Sequence, residues 1–149
     1  MGIRYKGTKA ENRALDAYIK LVRASESVVG RLGQNLRAED DLPLSQFGVL
    51  EALMHLGPMC QRELGVKILK SSGNVTMVVD NLEKRGLVAR RRSVEDRRVT
   101  EVDLTAKGRA LIKGIFPRHA AEITAEMGGL TAAEQKQLGA LCRKLGLVD

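Results

Sequence analysis

The sequence predicts a mainly α-helical fold carrying one small β-hairpin, and three observations predict it. Val75, Val78, Val79 and Leu82 fall at i, i+3, i+4 and i+7, the spacing of one helix face. Asn74, Thr76, Met77, Asp80, Asn81 and Lys84 take the opposite face, so this helix has a polar and largely uncharged front. Directly beyond Gly86, Val88 to Arg92 and Val99 to Leu104 read as two strands, with Ser93 to Arg98 as the tip. Apolar stripes of helical period then occupy both ends of the chain. A helix followed at once by a basic hairpin is the pattern of a winged helix-turn-helix with a two-stranded β wing. The helix would enter a major groove, and the hairpin would reach the adjacent phosphates or minor groove.

Taken in order, Met1 to about Lys9 lack apolar periodicity and read as a mobile arm. From Ala10 the pattern is helical, with Leu15, Tyr18, Ile19, Val22, Val29, Leu32 and Leu36 along one side. So long a stripe exceeds what a small domain can cover, and part of it is predicted to pack on a partner subunit. Asp40 to Pro43 breaks the pattern. A second helix opens at Leu44-Ser45 with Phe47, Leu50, Leu53 and Met54 inward, and Gly57-Pro58 ends it. Cys60 stands at the cap position of a short helix over 61 to 69, where Ser or Thr would be the better cap. Ser71 or Ser72 can cap the polar-fronted helix, and Gly86 can take the left-handed geometry that stops it.

Beyond the hairpin, Thr105 is predicted to cap a helix through Leu111, Ile112, Ile115 and Phe116, which Pro117 should kink or interrupt. The pattern resumes through Ile123 and Met127. Thr131 and Glu134 then form a T-x-x-E capping box before a last helix with Leu138, Leu141, Cys142 and Leu145 inward. The expected organisation is one intertwined domain: an arm and dimerisation helix over 1–41, a DNA-binding region over 42–104, and dimerisation helices over 105–149.

The charge agrees with a nucleic-acid partner. The 149 residues carry a net charge of +7, and Lys84 to Arg98 alone contain seven basic and two acidic residues. A pI near 9.7 favours an anionic partner, either duplex nucleic acid or an acidic membrane surface. The absence of Trp, with two Phe and two Tyr, argues against a single-strand binder built on aromatic stacking. Two distant cysteines, Cys60 and Cys142, make no disulfide framework, and no secretory signal or apolar run of membrane length is read, so a cytoplasmic protein is expected. The competing reading is a cationic helical module for anionic membrane or protein surfaces. Such a module has no need of the Asn74, Thr76 and Met77 front.

Asp96, Arg98, Val102, Leu104, Thr105 and Gly108 stand at the spacing D-x-R-x-x-x-V-x-L-T-x-x-G, preceded by VVDNLEKRGLV. This resembles the MarR (multiple antibiotic resistance regulator) family of bacterial winged-helix transcription factors, over nearly the whole chain. The resemblance implies a homodimeric repressor on a pseudo-palindromic DNA operator, with paired end helices as the dimer interface. It also implies that Asp96 orients the wing residue Arg98, which enters the minor groove. Alternation along a strand would put Asp96 and Arg98 on one side and Arg97 on the other. DNA contacts are then expected from Ser72, Gly73, Asn74, Thr76, Met77, Asn81, Arg90, Arg92, Arg97 and Arg98. The family commonly takes small aromatic or anionic effectors between the dimerisation helices and the reader, here a neighbourhood of Tyr18, Phe47, Ile112 and Phe116.

No converging set of acids, bases or nucleophiles marks an enzyme, and no phosphate loop, metal-ligand spacing or cofactor motif is read. His55 and His119 read as isolated, partly exposed helix residues. The thiol sensors of the resembling family carry a cysteine near the N-terminal helix, where this chain has none.

Overall fold

The computed structural model describes residues 4–68 and 72–146, the side chains of Ser72 and Gly73 excepted. Six helices and three strands follow in the order α1 (Lys9–Asp40), α2 (Leu44–Leu56), β1 (Met59–Cys60), α3 (Gln61–Lys67), α4 (Ser72–Lys84), β2 (Val88–Arg92), β3 (Thr100–Leu104), α5 (Ala106–Met127) and α6 (Ala132–Lys144). The fold is the winged helix-turn-helix that the sequence predicts.

Helix α1 starts one residue earlier than the periodicity indicates. Thr8 and Glu11 close a reciprocal capping box, and the Tyr5 hydroxyl donates to Glu11 at 3.3 Å. The part of the expected arm from Tyr5 to Thr8 is therefore an organised helix entrance; Met1 to Ile3 lie outside the described residues. The helix stops at Asp41, the one described non-glycine residue with positive φ, at 50°. The next amide, Leu42 N–H, reaches back to the Leu36 carbonyl, and both leucine side chains are fully buried there.

Helices α2, α3 and α4 close around one core with the sheet and α5. Val75, Val78, Val79 and Leu82 are all buried in it, as their spacing predicts, together with Phe47, Leu50, Leu53, Leu64, Ile112 and Ile115. Met54 packs only partly against this core. Gly86 ends α4 with φ +72°, and Leu87 N–H donates to the Leu82 carbonyl. Leu69 and the cap candidate Ser71 lie outside the described residues.

The sheet has a strand that the sequence reading missed. Met59 and Cys60 pair antiparallel with Val102 and Glu101, giving the order β1-β3-β2. Two residues are too short for alternation to register. The hairpin itself runs in the register Val88↔Leu104, Arg90↔Val102 and Arg92↔Thr100, so β3 starts at Thr100 and Val99 belongs to the tip.

Pro117 does not interrupt α5, which runs as one helix of 22 residues. The proline removes a single donor, the partner of the Lys113 carbonyl, and Lys113 is exposed, so water can satisfy that oxygen. The last helix also differs from expectation. The Thr131–Glu134 capping box is formed, but Leu138, Leu141 and Leu145 are exposed, Leu141 by 53%, and α6 buries no residue within the chain. On α1, too, only Leu32 and Leu36 are buried, while Leu15, Tyr18 and Val29 remain uncovered.

The wing is tied to α5 at its base. Thr105 Oγ1 accepts from Gly108 N–H at 3.0 Å and donates to the Gly86 carbonyl at 2.6 Å. Thr105 N–H donates to the Leu87 carbonyl, whose oxygen lies 1.9 Å from where a Cβ on Gly108 would stand. Gly108→Ala should therefore destabilise the protein by about 2 kcal/mol or more, as overpacking against backbone does. Chemical denaturation measures this, and an unchanged midpoint would show that the approach imposes no constraint.

Candidate nucleic-acid interface

With its valines buried, α4 leaves Asn74, Thr76, Met77 and Asn81 on the outer surface. Thr76 Oγ1 accepts from Gln61 Nε2 of α3 at 2.6 Å. Ser72 and Gly73, expected among the DNA contacts, are described only as backbone of the first turn of α4.

The arginines of the hairpin divide into two groups. Arg92 and Arg97 are exposed, and the Arg98 side chain is 90% exposed. Arg90 and Arg91 make ion pairs with acids outside the tip, although Arg91 keeps 57% of its side chain exposed. Arg91 meets Asp103 of β3 at 2.5 Å, and Asp103 is itself buried. Arg90 meets Asp80 at 2.7 Å and Glu83 at 3.2 Å, both on α4, and its Nη2 also donates to Gln61 Oε1 at 3.2 Å. Gln61, Asp103 and Ser93 were not singled out from the sequence, since their partners depend on how α3, the wing and α4 are packed.

Asp96 and Arg98 are paired, as expected, but through a turn and not through strand alternation. Asp96 Oδ1 accepts both the backbone N–H and Nε of Arg98 at 3.1 Å, and Nη2 reaches Oδ2 at 3.1 Å. The Arg98 guanidinium, then its backbone N–H, hold the Asp96 carboxyl below its ordinary range. Ser93, buried at the neck of the tip, accepts from the backbone N–H groups of Glu95 and Asp96 at 3.2 and 3.3 Å, and its own N–H closes on the Val99 carbonyl at 2.8 Å. These bonds hold the tip in a turn that projects Arg98 outward.

The four residues named for an effector do not form one site. Tyr18 is 63% exposed and faces a notch with Tyr5 and Leu15, whereas Ile112 is core. Phe47 does line a cleft of about 570 Å³, together with Val29, Leu32, His55, Lys67 and His119. Phe116 lies beside it, edge-on to His55 at 5.0 Å between ring centroids. The two histidines, read from sequence as isolated, thus share a cleft. His119 is buried, 4% exposed, with its ring 4.3 Å from that of Phe47, and its buried Nδ1 has no hydrogen-bond partner among the described residues. Among the described residues no cluster of metal-ligating side chains occurs, and no helix is long and apolar enough to cross a membrane.

A family model described as MarR family matches residues 40–99. The HTH-type transcriptional regulator MhqR of Bacillus subtilis (strain 168) is 37% identical over 135 residues, covering 91% of this chain and 92% of that protein. Among solved structures, Bordetella bronchiseptica BpsR, studied for regulation of its DNA binding by 6-hydroxynicotinic acid, superposes with a TM-score of 0.76. That match is 30% identical and covers 87% of this chain and 91% of BpsR. Sco3205 of Streptomyces coelicolor, a MarR family regulator solved in complex with DNA, shares the fold at a TM-score of 0.82 and 22% identity, covering 96% and 90% of the two chains. By its identity to MhqR along nearly its whole length and by the family match across its reader region, the chain belongs to the MarR family of transcriptional regulators.

Proposed function

We propose that the protein is a cytoplasmic homodimeric repressor that binds a pseudo-palindromic duplex and is released by a small ligand. The observation that carries this reading is an uncharged polar helix front on α4 together with, on the wing that Arg90 clasps to that helix, a projecting guanidinium, Arg98, held outward by Asp96. Asn74, Met77 and Asn81 are assigned to base edges in the major groove, where Asn can pair with adenine and Met can meet a thymine methyl. Arg92, Arg97 and Arg98 are assigned to phosphates and the minor groove, whose base pattern is degenerate. The uncovered leucines of α6 and the stripe of α1 are assigned to the dimer interface, since contiguous apolar faces of this kind mark association surfaces.

The cleft beside Phe47 is assigned to the effector. It is mostly apolar, and His55 and Lys67 on its lining give it polar handles for an aromatic or anionic molecule. BpsR, whose DNA binding responds to 6-hydroxynicotinic acid, supports a ligand-regulated reading of this fold.

Four outcomes test the proposal. Removing residues 131–149 should leave a monomer by sedimentation and abolish tight operator binding, and a truncated monomer of full affinity would refute the dimer. Two recognition helices related by a two-fold axis meet successive major grooves, so half-site centres should lie about 10 base pairs apart. Inserting half a turn between them should greatly weaken binding, measured by electrophoretic shift. Arg98→Ala should weaken selected and scrambled duplexes alike and flatten the salt dependence by about 0.9 per lost phosphate contact. Asn74→Ala should cost about 1 to 3 kcal/mol of preference at one base position with the salt slope intact. The reverse pattern would exchange the roles of helix and wing.

A further inference from the structure

We propose that Arg90 is a positioning residue for DNA recognition, which fixes the wing hairpin against the recognition helix and makes no phosphate contact of its own. The inference rests on the reading of α4 and the wing as two parts of one DNA-contacting surface, and it goes beyond that reading by taking one wing arginine out of the contact set.

Arg90 sits in the middle of β2, an edge strand of the sheet, opposite Val102. Its guanidinium uses both terminal nitrogens: Nη1 donates to Glu83 at 3.2 Å, and Nη2 donates to Asp80 at 2.7 Å and to Gln61 at 3.2 Å. Glu83 completes the clasp by accepting, through its other oxygen, the backbone N–H of Arg90 at 3.2 Å. One side chain therefore joins three elements: β2 of the wing, α4 and α3. The contact extends to the reading face, because Gln61, with Oε1 engaged by Arg90, turns Nε2 to the hydroxyl of Thr76.

The charge balance argues against a phosphate. Arg90 faces two carboxylates, so the cluster is net negative, and its side chain is only 25% exposed. A phosphate would have to displace Asp80 or Glu83 and leave that acid facing the DNA backbone. Arg98, 90% exposed and facing one carboxylate, has the opposite character. What Arg90 does supply is preorganisation. The planar fork meets several acceptors at fixed angles, so helix and wing need not be ordered relative to each other when DNA binds.

The arrangement makes the fork, and not the charge, the essential property. The test uses the full-length protein, the duplex recovered by selection from a random library, a scrambled duplex, and several salt concentrations, with folding checked by circular dichroism. Arg90→Lys keeps the charge and loses the fork. The ratio of affinities for selected over scrambled duplex should fall about tenfold or more, as expected for loss of charged hydrogen bonds that hold the reader, while the salt slope stays at the wild-type value. If Arg90→Lys kept the wild-type ratio, or Arg90→Gln only flattened the slope by about 0.9, Arg90 would be a phosphate anchor and the proposal would be wrong. Should the Arg90 variants fail to fold, Asp80→Asn with Glu83→Gln decides the matter with Arg90 in place. A lowered ratio supports the clasp, whereas tighter binding to both duplexes at an unchanged ratio overturns it. A wild-type protein with no preferred duplex would instead refute the reading of function itself, before any variant is compared.

Discussion

The close approach of the Leu87 carbonyl to the first turn of α5 at Gly108 is the constraint on which the rest of the structure depends. A side chain at Gly108 would overlap that oxygen, so helix and backbone can meet there only because the residue is glycine. Thr105 makes the same junction polar and directional by capping α5 and donating to Gly86 at once. The turn that ends α4 is thereby bound to the turn that begins α5, and the hairpin between them leaves and returns at one place. Movement of α5 must carry the base of the wing with it. This is the mechanical link between the outer helices and the surface assigned to DNA.

Electrostatics then divides the wing by function. The positive excess between Lys84 and Arg98 suggests a uniformly cationic finger, yet it is not spent uniformly. Arg90 is matched to Asp80 and Glu83 and holds the hairpin to α4, while Arg91 is matched to Asp103 across the hairpin itself. Arg85 likewise turns inward, to Gln46 and the Asp41 carbonyl, and ties the end of α4 to the α1–α2 connection. Arg92, Arg97 and Arg98 remain on the outside. Exposed ion pairs contribute little to stability in general, so the value of the Asp96–Arg98 pair lies in direction. It spends one carboxylate to keep a long, flexible side chain from collapsing onto the tip.

The difference between what was and was not legible in the sequence follows from range. The buried face of α4, the glycine stop at Gly86, the Thr105 cap and the Thr131–Glu134 box are local, set by residues within one or two turns, and each appears as expected. The Thr8–Glu11 box was equally local, and its T-x-x-E spacing was available to be read. Strand β1 was not, because two residues carry no period and their pairing partner lies more than forty positions away. Nor was the division of the arginines, since Arg90 and Arg98 look alike until Asp80 and Glu83 are brought to one and not the other. The cleft has the same cause: His55 and His119 stand on α2 and α5, far apart in sequence, and only helix packing makes them neighbours.

Helix α6 shows how folding and function are coupled. It has 13 residues, a length at which an isolated helix is marginal in water, and a capping box at its start adds only a small stabilisation. None of its residues is fully buried within the chain, and the apolar face of Leu138, Leu141 and Leu145 is only partly covered there. A surface outside the protomer would add to its stabilisation. In the proposed dimer that surface is the partner, which would cover the rest of the apolar face of α6. Association then does more than pair two readers: it fixes the helical frame to which α5 connects, and through Gly108 and Thr105 that frame sets where each wing stands. In the proposed reading a ligand between the outer helices and the reader would act on the same frame. It would need only to favour a different packing of α5 against α2 for both recognition surfaces to lose their shared register.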